Sequence, residues 1–194
     1  MRLWTQHRMP ILCACLAIAL CAAVLVGQQR PANPSSAPGA GQSAVERGKY
    51  LVTVQDCNGC HTPFKNGEPD LSKMLQGHPQ DVKISAAPKL PPGWVTAISD
   101  TNTAWSTPAG VAFTSNLTPD KATGIGGWTE ETFINAIRKG KHLGSGRPIM
   151  PPMPWKMYSN LTDSDLKAIF AYLKTIPPIS NKVPAPIMPA GQRQ

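Results

Sequence analysis

Past residue 21 the sequence contains only two cysteines, Cys57 and Cys60, so the body of the chain has no disulfide framework to build on. Histidine is as scarce: His61, His78 and His142 follow His7, too few and too scattered to complete a zinc site around the two thiols. Charged residues make up 15% and aromatics 6%, and no basic cluster is interleaved with aromatics, which excludes a nucleic-acid surface. Proline, by contrast, is abundant at 21 residues, and that argues for a loop-rich domain rather than a regular helical bundle.

The two cysteines stand together in Cys57-Asn58-Gly59-Cys60-His61, the C-x-x-C-H pattern of covalent c-type haem attachment. Both thiols can add across the haem vinyls as thioethers, and the imidazole that follows at once is placed to bind iron as the proximal ligand. Gly59 would relax the backbone where it passes close to the ring. The alternatives lack partners: a redox C-x-x-C wants a βαβ context, which the flanking sequence does not provide.

The N-terminus reads as an address. Arg2, His7 and Arg8 precede a continuous apolar run, Ile11 to Val26. The run would span about 24 Å as a helix at ~1.5 Å per residue, short for a ~30 Å bilayer core and long for an ordinary signal. Residues 1–27 are therefore expected to be a signal peptide or an N-terminal membrane anchor. Either predicts a periplasmic domain, soluble or anchored to the inner membrane. Residues 28–43 form a Pro/Ser/Gly linker, 44–178 the folded domain, and 179–194 a proline-rich tail ordered only where it lies on the domain. From residue 44 the chain carries 16 basic and 11 acidic side chains, a net near +5. A mildly basic surface of this kind suits an acidic partner protein or an anionic lipid, and equally well a coat of solvating lysines.

Three helices are predicted. The first opens with the capping box Ser43-Ala44-Val45-Glu46, runs to about Val54, and turns Val45, Gly48, Leu51 and Val52 inward. The second starts after Thr129, with Trp128 and Phe133 as a hydrophobic staple, and ends at Gly140. The third starts after Thr162, with Asp165 completing a capping box, and carries Leu166, Ile169, Phe170 and Leu173 on one face. Between Thr62 and Phe113 periodicity fails; this long stretch either covers the haem edge or folds on itself as short strands near Trp94–Ile98 and Val111–Ser115. The fold class expected is all-α.

Iron held by one histidine has an open position, and its occupant decides the function. The proline-locked loop from Arg147 to Trp155 offers Met150 and Met153. A thioether held rigidly at the iron makes a His/Met electron carrier and blocks the site to oxygen and peroxide. Met153 is preferred, being closer to Trp155 and the terminal helix, and Met150 is the alternative. Met74 and Met157 are outsiders, and His78 or His142 would give a bis-histidine site, against which stands the habit of lone histidines on polar loops to be solvated. A five-coordinate haem enzyme or sensor, peroxidase-like, is the rival function; a haem subunit docking a dehydrogenase to the membrane through residues 11–26 is a third. Asn116, Trp128, Arg138 and Trp155 are candidates for propionate contacts or for the crevice lining.

The order of these elements resembles the class I cytochrome c fold. It is similar above all to the haem domains in the cytochrome subunits of alcohol, aldehyde and gluconate dehydrogenases. The likeness rests on Cys57–Thr62, Ser115–Asp120, Thr123–Trp128, Pro152-Met153-Pro154-Trp155 and Asp163–Leu173, and covers about residues 44–178. It implies one covalent haem c, Met153 as axial ligand, and a crossing of first and last helices near Gly48 and Tyr172. It also implies redox partner proteins: a dehydrogenase as electron donor, an oxidase or another cytochrome as acceptor. The chain is not expected to be an enzyme. Those subunits carry several haem domains, whereas this sequence contains one C-x-x-C-H.

Overall fold

The structure, a computed structural model, describes residues 43–189. Helix α1 (Ala44–Val54) begins as its sequence dictates: the Glu46 amide donates to Ser43 Oγ at 3.2 Å, and the Glu46 carboxylate accepts from the Ser43 amide at 2.9 Å. These bonds hold the Glu46 carboxyl below its ordinary pKa. Gly48, Leu51 and Val52 face inward as predicted, but Val45 is 37% exposed, because the neighbouring helix crosses at Gly48 and leaves the first turn uncovered.

That neighbour is the terminal helix, α5 (Asp163–Leu173), which buries Leu166, Ile169, Phe170 and Leu173. Its cap is half of what the sequence predicts. Thr162 Oγ1 accepts from the Asp165 amide, while the Asp165 carboxylate turns to Arg47 of α1 at 3.0 Å. The two helices touch backbone to backbone. A methyl group on Gly48 would run into the Ala168 carbonyl and the Tyr172 side chain, so the glycine is what lets the crossing form. The implied crossing near Gly48 and Tyr172 is thus present.

Helix α3 (Glu130–Lys139) leaves Thr129 as N-cap and ends at Gly140, which is left-handed with φ of 60°. Its Phe133 ring lies 5.3 Å from that of Phe170, joining α3 to α5 in one apolar core with Leu51, Val52 and Leu173. Each such fully buried side chain contributes about 1.5–3 kcal/mol by leaving water. Short helices α2 (Cys57–His61) and α4 (Trp155–Tyr158) complete the helical part.

The middle of the chain corrects the all-α expectation. It holds a minimal hairpin of β1 (Phe64–Lys65) with β2 (Glu68–Pro69), and an antiparallel sheet of β3 (Ala97–Ile98), β4 (Ala104–Thr107) and β5 (Gly110–Phe113). The strands near residues 98 and 111 match the folded-insertion alternative; β4 between them carries no apolar alternation strong enough to announce itself. Ala104, Val111 and Phe113 form a second, smaller core with Ile84, Val183 and Ile187 packed on it. His78 belongs to that core and is fully buried, where a solvated histidine was expected. Its Nε2 donates to the Val82 carbonyl at 3.1 Å, its Nδ1 accepts from Thr103 Oγ1 at 2.9 Å, and its ring lies 4.7 Å from Phe113.

The segment after α5 lies across the domain. Asn181 is buried; its side-chain oxygen accepts from the Gln80 amide, and its nitrogen donates to the carbonyls of Gln76 and His78 at 2.7 and 2.9 Å. Ile187 then exchanges two backbone hydrogen bonds with Val111 of β5. The expected leader and most of the linker lie outside the described residues. Among the described residues no helix is long and apolar enough to cross a membrane.

Two substitutions test this packing. Gly48→Ala should lower stability by about 1–3 kcal/mol in chemical denaturation, against the ~1 kcal/mol gain that alanine brings to an open helix. Asn181→Ala should cost roughly 1–3 kcal/mol for each buried backbone group left without a partner, read in the same way.

Candidate haem site

The C-x-x-C-H segment is one turn of helix, α2, held from both ends. Asp56 precedes it in the left-handed region, at φ 52° and ψ 42°, and its carboxylate accepts from the Gly59 amide at 3.1 Å. The carboxylate fills the space where a Gly59 side chain would stand. Glycine is therefore required here by the cap, not only by the close approach of a ring that the sequence suggests. Asn102 donates to the Gly59 carbonyl at 2.5 Å, fastening the β3–β4 turn to the motif. Thr62 Oγ1 donates to Asn58 at 2.8 Å and accepts from the Leu75 amide at 2.9 Å.

His61 is buried, and its Nδ1 donates to the Ser115 carbonyl at 2.8 Å. A carbonyl can only accept, so the proton sits on Nδ1 and Nε2 keeps its lone pair. Nε2 has no hydrogen-bond partner among the described residues, and His61 lines the cavity described below. Burial pushes the His61 pKa down, against the pull of the Ser115 carbonyl, which keeps the imidazole neutral. A neutral, oriented imidazole with a bare Nε2 is what a metal ligand needs.

The two thiols lack the lowered pKa that marks a catalytic redox pair. Burial first and Asp56 second push Cys57 up to about 11, and the same causes raise Cys60. Catalytic C-x-x-C sites depress such values. Among the described residues no group of three His, Cys, Asp or Glu side chains stands together as a zinc set would.

A cavity opens beside the motif in two lobes, both lined by Cys60, His61, Leu117, Phe133, Ile137 and Met153. The larger encloses about 480 Å³, a size suited to a prosthetic group. Cys57 lines the smaller lobe, where the Tyr158 hydroxyl donates to the Gln55 carbonyl at 3.0 Å. Of the candidate methionines, Met150 and Met153 line the larger lobe, and only Met153 also lines the smaller. Met74 packs against the core, and Met157 is 71% exposed. The loop bearing Met150 and Met153 is pinned at Gly140, whose carbonyl accepts from the Ile149 amide at 2.8 Å and whose open face takes the Trp155 ring. Of the histidines outside the motif, His78 has both ring nitrogens bonded elsewhere. His142 lines the larger lobe, edge-on to Trp128 at 5.4 Å, and burial and Arg147 push its pKa down. The residues present thus fit a covalently attached haem: thiols, an imidazole with a bare Nε2, thioethers and apolar side chains line the same two lobes.

The polar candidates fare unevenly. Asn116 and Trp128 line the larger lobe, but Asn116 spends its side chain on Thr118, Thr123 and the Ile179 carbonyl. Arg138 turns away to Asp163 at 2.5 Å and to the Ser159 carbonyl. Trp155 packs on Gly140. Among the lining residues that the sequence did not single out as site candidates are Thr114, Arg147 and Lys182. Arg147 opens the proline-locked loop, a signal the sequence does carry; Lys182 lies in the segment read as a tail, and nothing local marks Thr114.

Comparison with known proteins agrees with this geometry. The family model "Cytochrome c" matches residues 45–177. The chain is 31% identical over 82% of its length to the fructose dehydrogenase cytochrome subunit of Gluconobacter japonicus, covering 27% of that protein. It is 32% identical over 69% of its length to the gluconate 2-dehydrogenase cytochrome c subunit of Pantoea cypripedii, covering 23%. To the cytochrome c subunit of the quinone-dependent alcohol dehydrogenase of Gluconobacter oxydans it is 28% identical over 79% of its length, covering 26%. The chain spans about a quarter of the length of these curated relatives. The match embraces the motif turn, the methionine loop and both crossing helices, and the chain belongs to the cytochrome c family, which implies covalently bound haem c and electron transfer rather than catalysis.

Proposed function

We propose that this chain is an exported single-electron carrier with one haem c. Cys57 and Cys60 tether the haem, His61 and Met153 bind its iron, and its partners are a periplasmic dehydrogenase and the respiratory chain. The observation that carries the reading is the shared lining of both lobes by Cys60, His61 and Met153. The bound haem supplies a reversible one-electron site. The chain's own residues would orient it, supply His61 and Met153 to its iron and keep water out.

His61 does the first of these through Ser115, since the carbonyl fixes both ring plane and tautomer. The methionine loop, anchored at Gly140, would do the second, since a thioether carried on a held loop would need little rearrangement between oxidation states. Leu117, Phe133 and Ile137 do the third, and a dry, apolar surround favours the reduced iron, as does a thioether ligand. The names of the relatives support a dehydrogenase as donor, and the basic, apolar start of the sequence supports export. Residues 11–26 then either leave with the signal or hold the domain at the membrane.

A pyridine haemochrome assay with the mass of the mature chain should give one haem per chain through two thioethers, and tell whether the leader is removed. Met153→Ala should abolish the weak red-edge band of the oxidised spectrum and open the iron to external ligands, while Met150→Ala leaves the band in place. The reverse result would move the ligand to Met150. A band absent from the unaltered protein would take methionine off the iron and favour either a bis-histidine site, with His142 in the larger lobe, or a five-coordinate haem enzyme or sensor.

A further inference from the structure

We propose that Arg147 and Thr114 form an anion-binding end of the cavity that holds a haem carboxylate, roofed by residues 182–186 of the C-terminal segment. The inference rests on the haem-carrying reading above and deepens it.

Two side chains that line the larger lobe lack what their chemistry demands. Arg147 is partly buried, yet no carboxylate pairs with it among the described residues; its one hydrogen bond runs from Nη1 to the Pro148 carbonyl at 3.4 Å. Withdrawing a guanidinium from water without an anion is costly, and its planar fork matches a carboxylate. Thr114 Oγ1 is buried and likewise bonds to nothing among the described residues. It follows β5, one residue before the Ser115 carbonyl that orients His61. Both residues line the larger lobe, and no Asp or Glu does. A donor and a cation with no acid beside them describe a site for a negative group brought from outside the chain, and a haem carries two carboxylates.

The C-terminal segment is held on both sides of this stretch. Asn181 is locked into the carbonyls of Gln76 and His78, and Ile187 into Val111, and residues 182–186 between them line the lobe. His142 also lines the lobe, and burial and Arg147 push its pKa down.

The test uses the full, haem-loaded protein. Arg147→Gln should shift the redox equilibrium about tenfold toward the oxidised form, a fall of about 59 mV for one electron. Lys141→Gln, which removes an exposed charge that does not line the cavity, should shift it less than about twofold. Thr114→Val should lower the melting temperature of the oxidised holoprotein, because it strips a partner from the carboxylate. Were the hydroxyl unpartnered in the holoprotein, valine would raise that temperature instead. A rise with Thr114→Val, or equal shifts for Arg147→Gln and Lys141→Gln, overturns the assignment. Colourless protein overturns the haem-carrying reading itself and the inference with it, whereas a normal haemochrome with those null results overturns the inference alone.

Discussion

The hydrogen bond from His61 to the Ser115 carbonyl is the constraint on which the rest of the structure depends. It joins the motif helix to the end of the small sheet, and so ties the two cores together at the cavity. One bond sets three things at once: which ring nitrogen is bare, which way the ring faces, and how far β5 stands from α2. The surroundings serve to keep it true. Asp56 caps the helix from one side, Asn102 holds its middle carbonyl, and Thr62 clasps Asn58 and Leu75. An imidazole this constrained loses little freedom on taking a ligand.

The helices form a frame for that centre. α1 and α5 close on each other at Gly48, and α3 joins them through Phe133 and Phe170. The methionine loop hangs from the end of α3 at Gly140 and returns at Trp155, so its position is inherited from the helical core and not from the loop's own sequence.

How much of this was legible depended on how local the cause was. Helix starts at Ser43, Thr129 and Thr162 were readable because a cap is written within four residues. Cys57, Cys60 and His61 were readable because they fall within five consecutive residues. Val45 was misjudged because the inward face depends on where α5 crosses, which no window on α1 contains. His78 looked solvated because its partners, Thr103 and Phe113, are far away in sequence. Arg138 and Arg147 differ only in what the fold puts in front of them: Asp163 for one, an acid-free cavity for the other. The sheet was only half visible, since strands of two and four residues offer too few alternations to read.

The pairing of Ile187 with Val111 has a consequence for how the protein behaves in a crowded compartment. β5 is the last strand of its sheet, and a bare last strand invites another chain to add to it. Here the chain covers that border with its own backbone. Pro184, Pro186 and Pro189 lack amide protons, so the covering segment offers little ladder of its own for a stranger to extend. The β5 edge is guarded by a segment that the sequence marks only as a tail ordered where it lies on the domain.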